Sequence, residues 1–298
     1  MNLFITSSRG VYQYNLKNDR ISKIIGNWHK GIFKFPSKGF FGACLSYTNN
    51  NIIFASRENF TNNNYEKSTD TIIHIFDFIN GSIKNKIIIN NLYDVHQITS
   101  YKNFIFITET GKNRIQVLNL ENNSVEFFIE IGKIRDDKNH INAINIDDNF
   151  LFIGLNNGHK KNLFQNAQLV KIPTQAIYQN KTIDGLEVGT LENLQNVFHT
   201  HDLEKYNDDY LISSSNLGKI YSYNKKKFII DIKSWTRGIA INSEHIFIGK
   251  SGIGKRKLRH SRYYDGEVYV IDKFNFNFIK KIVIPKIGQL NDIIYFEN

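Results

Sequence analysis

The stretch that decides the fold is DVHQITSYKNFIFITETGKNRIQVLNLENNSVEFFIEIG, which runs from Asp94 to Gly132. It contains four short apolar runs, HQITSY, FIFITET, RIQVLNL and VEFFIEI, and turn residues separate them. In the last run Val125, Phe127 and Ile129 lie on one face of an extended chain, whereas two glutamates lie on the other. The stretch therefore predicts four short strands joined by tight turns, which is the unit of a β-propeller blade.

The same pattern is repeated along the chain. Further units begin at Gly42, His140, Phe198 and Trp235. The first segment, NLFITSSRGVYQYNLKNDRISKII, matches only strands two to four of a unit, and the last segment, QLNDIIYFEN, matches only strand one. Pairing the two segments completes a sixth unit and leaves no open strand edge. The sequence predicts an all-β fold, a single six-bladed β-propeller domain over residues 1–298, in which Met1–Ile25 pairs with Gln289–Phe296.

The amino-acid composition agrees with this fold and limits the classes of function that are possible. Hydrophobic residues make up 41% of the 298 residues, and 23 Phe and 15 Tyr favour strands. The formal net charge of +10 favours an anionic partner or substrate, or else reflects a composition rich in Lys, Asn and Ile. One cysteine excludes an internal disulfide, and neither a signal peptide nor a transmembrane segment is expected. We therefore expect a cytoplasmic protein that does not use a membrane.

Polar residues stand where the first strand of each blade begins. These strands line the propeller axis, so their opening residues converge although they are far apart in sequence. The openings are FGACLS, DVHQIT, NHINAI, FHTHDL, WTRGIA and QLNDII. They place at equivalent positions His96, His140, one of His199 or His201, Arg237, and Asn291 or Asp292.

Three histidines at one axis predict a metal centre. Three imidazoles are a ligand set for catalytic zinc with one open position, and imidazole also suits iron, copper and nickel. His201 fits the register better because HDL mirrors HQI, and His199 is the other candidate. The alternative is that each histidine only bonds a neighbouring strand.

Several other residues are candidates for handling substrate. Arg237 would hold an anionic group through two parallel hydrogen bonds, unless it is a structural arginine that bonds loop carbonyls. Glu109 would orient a ligand or act as a base. Asn142 and Asn291 would contact substrate from their strand openings. Lys255 and Tyr263, in the basic segment 251–267, would contribute charge and a stacking ring, although a solvated loop is the alternative.

At these openings the sequence resembles a family of uncharacterised bacterial six-bladed propellers. The resemblance rests on Asp94-Val95-His96, His140-Ile141-Asn142, Thr236-Arg237-Gly238 and the later histidine blade, over roughly residues 90 to 260. More distantly, ITETGKNRIQVLNL looks like an NHL repeat. That likeness implies kinship with the peptidylglycine amidating lyase, a propeller that binds zinc through histidines beside an arginine and a tyrosine. Virginiamycin-type lyases similarly place histidine chemistry on the axis, whereas the calcium site of gluconolactonase-like propellers is not reproduced here.

The function predicted from the sequence is a metal-dependent lyase or hydrolase for a small anionic or sugar-like substrate. The metal, expected to be zinc from its ligand type, would act as a Lewis acid or activate water, and Arg237 would anchor the anion. The alternative is a non-catalytic propeller that binds a protein, glycan or polyanion. Nucleic acid is the less favoured polyanion because the basic segment lacks a recognition motif.

Overall fold

Short β-strands account for the repeated apolar runs of the chain. The computed structural model describes residues 1–26, 38–58, 69–132, 139–156, 165–178, 182–251 and 264–297. These residues form 25 strands in six small sheets, which we number as blades I to VI. Each inner strand contacts the inner strand of the next blade around the ring. The protein is therefore a six-bladed β-propeller, and the predicted fold class is confirmed.

Within each blade the strands follow one another outward from the axis. Blade I contains β25 (Leu290–Phe296), β1 (Asn2–Ser7), β2 (Gly10–Asn15) and β3 (Arg20–Gly26). Blade II contains β4 (Lys38–Leu45), β5 (Asn51–Glu58), β6 (Thr69–Asp77) and β7 (Ser82–Leu92). Blade III contains β8 (Val95–Tyr101), β9 (Phe104–Glu109), β10 (Arg114–Asn119), β11 (Ser124–Glu130) and the parallel strand β15 (Thr182–Asp184).

The remaining blades follow the same plan. Blade IV contains β12 (Ile141–Ile146), β13 (Phe150–Leu155), β14 (Gln168–Pro173) and β16 (Thr190–Asn193). Blade V contains β17 (Leu203–Tyr206), β18 (Asp209–Ser214), β19 (Lys219–Ser222) and β20 (Lys227–Asp231). Blade VI contains β21 (Thr236–Ile241), β22 (His245–Lys250), β23 (Gly266–Asp272) and β24 (Phe278–Ile284). The described helices are short: the α-helix α1 (Gly185–Val188) and the 3-10 turns Thr110–Lys112 and Thr174–Ala176.

The two ends of the chain close blade I. Strand β1 pairs antiparallel with β25, from Asn2 opposite Phe296 to Thr6 opposite Asp292. Just beyond this ladder the N–H of Ser8 donates to the carbonyl of Gln289 at 2.8 Å. The predicted pairing of the terminal segments is confirmed, and it gives the inner strand of blade I its partner.

The apolar core lies between blades. The described residues form six buried clusters, and each cluster joins side chains from two adjacent blades. Around the closing blade, for example, Phe4 of blade I packs against Phe54 of blade II with ring centroids 5.4 Å apart. Burial of apolar area at every blade interface stabilises the closed ring. No helix among the described residues is long and apolar enough to cross a membrane.

Candidate functional site

A β-bulge at the opening of the inner strands decides which side chains surround the mouth of the channel. In the described residues the pairing of inner and second strands shifts register at this point in blades I, II, III, IV and VI. The second-strand residues that face these openings are all small: Thr6, Ala55, Thr108, Gly154, Ser213 and Gly249. A Cβ added to Gly249 would lie 2.0 Å from the carbonyl oxygen of Arg237, so a larger residue cannot fit there. Bulges re-aim side chains in this way in many active sites.

Hydroxyl groups accept hydrogen bonds from backbone N–H groups at two of these openings. In blade III, Thr108 Oγ1 accepts from the N–H groups of His96 and Gln97 at 3.3 and 2.9 Å. In blade V, Ser213 Oγ accepts from the N–H groups of His201 and Asp202 at 3.0 and 2.9 Å. The same backbone arrangement thus holds His96 and His201, and it explains why a hydroxyl residue stands opposite each of them.

The strand registers define two rings of residues around the mouth. The bulge ring consists of Phe41, His96, Asn142, His201, Arg237 and Asn291. The outer ring, two residues earlier in each blade, consists of Gly39, Asp94, His140, His199, Trp235 and Gln289. His201, not His199, is therefore the counterpart of His96. The predicted equivalence of His140 with His96 is wrong, because the counterpart of His96 in blade IV is Asn142.

Backbone conformation separates three outer-ring residues from the strands that follow them. Asp94, His140 and His199 have φ values of 55°, 44° and 54°, which lie in the left-handed region that non-glycine residues rarely adopt. These three residues precede the inner strands of consecutive blades. Their shared left-handed turn brings the outer-ring side chains back to the mouth, beside those of the bulge ring.

One half of the mouth is built around Asp94. Its carboxylate forms a buried ion pair with Arg57 and lies 3.2 Å from His96 Nε2. The ring centroid of His96 is 5.6 Å from that of His140. Burial alone would raise the pKa of Asp94, but the facing His96 and Arg57 outweigh it and hold this pKa well below its usual value. Because burial lowers the pKa of His96 itself, we assign the main counter-charge to Arg57.

The other half of the mouth is built around Trp235. The rings of His199 and His201 lie 5.7 and 5.6 Å from its indole, and they stack on each other at 6.5 Å. His201 Nδ1 lies 3.0 Å from both the carbonyl of His199 and Ser215 Oγ, so it acts as the donor to the carbonyl. Burial, followed by repulsion from His140 and Arg237, lowers the pKa of His199 to about 4.

The remaining imidazole of this half is also uncharged. Burial, followed by Arg237 and His199, lowers the pKa of His201 well below its usual value. His96, His199 and His201 are therefore neutral at neutral pH. A neutral imidazole has one nitrogen that donates and one that accepts, so each ring can bind a ligand or take up a proton.

Arg237 lies in the bulge ring with only 8% of its surface exposed. The hydrogen-bond network turns the amide oxygen of Gln289 toward this guanidinium, and Nε, Nη1 and Nη2 each lie 3.0 Å from that oxygen. Equal distances to the three nitrogens place this oxygen over the face of the guanidinium, and the neutral amide does not cancel its charge. The sequence did not single out Gln289 or Arg57, because the role of each depends on a neighbour that lies far away in sequence.

The two asparagines of the bulge ring differ. Asn291 Nδ2 donates to the carbonyl of Phe40 in blade II at 2.6 Å, which ties blade I to blade II. Asn142 is 1% exposed, yet neither its Oδ1 nor its Nδ2 has a hydrogen-bond partner among the described residues. Leaving a buried polar group unpaired costs about 1–3 kcal/mol, and native proteins rarely tolerate it.

Glu109 does not face the mouth. Its Oε2 accepts from Arg114 Nε at 2.5 Å and from Gln116 Nε2 at 3.0 Å, and its Oε1 accepts from the N–H of Tyr93 at 3.1 Å. Lys112 Nζ lies 3.1 Å from the same Oε1. These partners occupy the carboxylate and fix it inside blade III, so the predicted role as a base or ligand-orienting group is wrong.

The predicted substrate residues Lys255 and Tyr263 lie outside the described residues, as does most of the basic segment around them.

Below the rings lies an acidic cavity of about 250 Å³. Asp202, Asp292 and Glu204 line it, and the sequence pattern pointed only to Asp292 among them. Asp202 accepts hydrogen bonds from the N–H of Ile239 and from Gln97 Nε2. Burial raises the pKa of Asp202, and burial together with repulsion from Asp202 raises that of Asp292, although backbone N–H donors oppose both shifts.

The predicted metal centre depends on where these side chains lie. Within the part of the chain that the structure describes, no group of three or more His, Cys, Asp or Glu side chains is arranged to hold a metal ion. Ring contacts join His96 to His140 and His199 to His201, and His140 also contributes to the lowered pKa of His199. The arrangement therefore does not reproduce the predicted three-histidine ligand set. What it does provide is a mouth where the buried guanidinium of Arg237 lies in the same rings as imidazoles that can donate hydrogen bonds.

Comparison with known proteins supports the fold. No family model and no curated protein matches the sequence. A chain from the crystal structure of a nidogen/laminin complex matches with a TM-score of 0.67 and 11% identity, over 98% of this chain and 97% of that one. A protein of unknown function from Bacteroides caccae matches with a TM-score of 0.63 and 10% identity, with the same coverage. At such low identity the likeness shows the propeller fold alone.

Proposed function

We propose that the protein binds a small anionic ligand at the mouth of its central channel, between the bulge ring and the outer ring. The observation that carries this proposal is the balance of hydrogen-bond donors and carboxylates in the two rings. They contain one arginine and four histidines but a single carboxylate, Asp94, which already bonds Arg57 and His96. Donors that converge in a partly dehydrated site bind anions more strongly than the same donors in water.

Arg237 is the anchor in this proposal. Its guanidinium presents several N–H donors in a fixed plane, which matches the geometry of carboxylate, phosphate and sulfate. The pKa of His199 is lowered partly by Arg237, so protonation of His199 is disfavoured while no anion is bound. An anion between the two groups would offset the charge of Arg237 and favour the protonated form of His199, which supports binding at the His199 side of the mouth.

Substitution of Arg237 tests the proposal. Arg237→Lys keeps the charge but loses the planar fork, so we expect the affinity for sulfate, phosphate or small carboxylates to fall by about 1–3 kcal/mol. Isothermal titration calorimetry measures this directly. Arg237→Gln is compared with Lys226→Gln, which removes the same charge from an exposed pair with Glu192. Equal anion affinity in wild type and both Arg237 variants would show that Arg237 is structural.

A metal-dependent lyase or hydrolase at the same mouth is the second candidate. Its support is the neutral state of His96, His199 and His201, because neutral imidazole is the form that binds metal. Elemental analysis of purified wild type and His96→Ala tests this candidate. Stoichiometric metal that the variant loses supports it, and wild type without metal after incubation with zinc, iron, copper and nickel rules it out.

A further inference from the structure

The amide of Asn142 is a second candidate group for ligand binding at the mouth. Its amide is 1% exposed and has no hydrogen-bond partner in the described part of the chain, although it lies in the bulge ring between His96 of blade III and His201 of blade V. Its counterpart in blade I, Asn291, bonds the carbonyl of Phe40. The ring position alone therefore does not leave an amide unpaired. A buried amide of this kind is suited to meet a ligand.

We propose that Asn142 binds a hydroxyl group of the ligand whose anionic group is held by Arg237. This inference rests on the proposed function and names the ligand class, small hydroxy acids. An arginine only donates hydrogen bonds and so selects an anion. An amide both donates and accepts, so its complement is a group that does the same, as a hydroxyl does. A second anionic group would face Asn142 Oδ1 and leave that oxygen unpaired.

The width of the channel allows one small ligand to reach both residues. Asn142 and Arg237 lie two blades apart, in blades IV and VI. One residue deeper in the same channel, Gln97 and Asp202 also lie two blades apart, and their side chains bond directly at 3.2 Å. The inner strands of two blades that lie two apart are therefore separated by about the length of two side chains. A small ligand that contacts the amide of Asn142 is therefore within reach of the longer side chain of Arg237.

Matched pairs of acids test the inference. Lactate differs from propionate by one hydroxyl group, and so does malate from succinate. We expect wild type to bind the hydroxylated acid of each pair about fivefold to tenfold more tightly by calorimetry, the range for one or two added hydrogen bonds. Asn142→Leu should abolish this preference and leave the affinity for propionate and succinate unchanged. Asn291→Leu, in the same ring, should keep the preference.

The outcomes separate the inference from the proposed function. If wild type binds the acids of each pair equally and Asn142→Leu changes nothing, the inference is wrong while anion binding stands. If wild type binds none of the four acids, sulfate or phosphate, the proposed function falls and the inference falls with it. Thermal melts check that each variant is folded, and Asn142→Ala replaces Asn142→Leu if the larger side chain prevents folding. Loss of the hydroxyl preference with unchanged melting is not expected of a merely structural residue.

Discussion

Asp292, in the last strand of the chain, accepts a hydrogen bond from the backbone N–H of Ala43, in the inner strand of blade II, at 2.7 Å. Its second carboxylate oxygen accepts from the N–H of Ile293 at 2.8 Å. Asp202 makes the equivalent bond to the N–H of Ile239 in the blade that follows its own. The buried acids of the channel thus link consecutive blades, and Asp292 makes this link across the blade that closes the ring.

Deletion of residues 289–298 tests the importance of this closure. The truncated chain loses β25, so β1 and the inner edge of blade II lose their partners. We expect a lower melting temperature and association of the exposed strand edges, seen by calorimetry and size-exclusion chromatography. A truncated protein that stays monomeric and melts like wild type would contradict the closure mechanism.

The hydroxyl of Thr108 should stabilise the protein by accepting hydrogen bonds from the backbone at the opening of blade III. Thr108→Val keeps the shape of the side chain but leaves the N–H groups of His96 and Gln97 without their acceptor. We expect a loss of about 1–3 kcal/mol in the free energy of unfolding, measured by urea denaturation. Thr108→Ser is the control, since Ser213 makes the same two bonds in blade V. If the serine variant is as unstable as the valine variant, the lost methyl packing is responsible instead.

Glu204 should make stability depend on pH. Burial raises its pKa from an ordinary 4.5 to about 8. Between these pH values the folded protein keeps a proton that the unfolded chain has lost, so this group's contribution to stability falls as pH rises. A glutamine side chain does not titrate, and Glu204→Gln should therefore lose less stability than wild type as pH rises from about 5 to about 8. The change is measured as the melting temperature of both proteins at each pH. Identical pH profiles would contradict the raised pKa and indicate that Glu204 is in contact with water.

Anion binding should be coupled to uptake of a proton by the histidines. Without ligand the pKa of His199 is about 4, against an ordinary value of 6.5. A bound anion favours the protonated ring and raises this pKa, so affinity for sulfate should increase as pH falls toward about 5. Calorimetry in buffers with different ionisation enthalpies measures the proton uptake. His199→Gln should reduce it. Binding that neither depends on pH nor takes up protons would show that the anion lies away from these rings.

The resemblance to propellers with DVH, HxN and TRG openings, and more distantly to NHL-repeat lyases, stays a prediction. The structural matches at 10% and 11% identity support the propeller and leave the reaction open.

The sequence alone determined the blades and their closure. Alternation in strands such as β11 and the complementary segments at the two ends of the chain are local signals, so they could be read without knowing any long-range contact. A further signal was present at the openings. The runs NLFITS, FIFITE, FLFIGL, DYLISS and HIFIGK share a small or hydroxyl fifth residue, which is the residue that faces the opening of the inner strand. That pattern could have corrected the alignment of His140.

Only the tertiary structure decided the composition of the site. A bulge adds one residue to a strand, so the position of a side chain on the axis cannot be counted from a motif such as NHINAI. The ion pair of Arg57 with Asp94, the amide of Gln289 at Arg237 and the full bonding of Glu109 depend on neighbours brought together by folding. The unpaired amide of Asn142 is likewise visible only after the donors and acceptors of the described residues have been placed, because hydrogen bonding is a property of the folded surroundings.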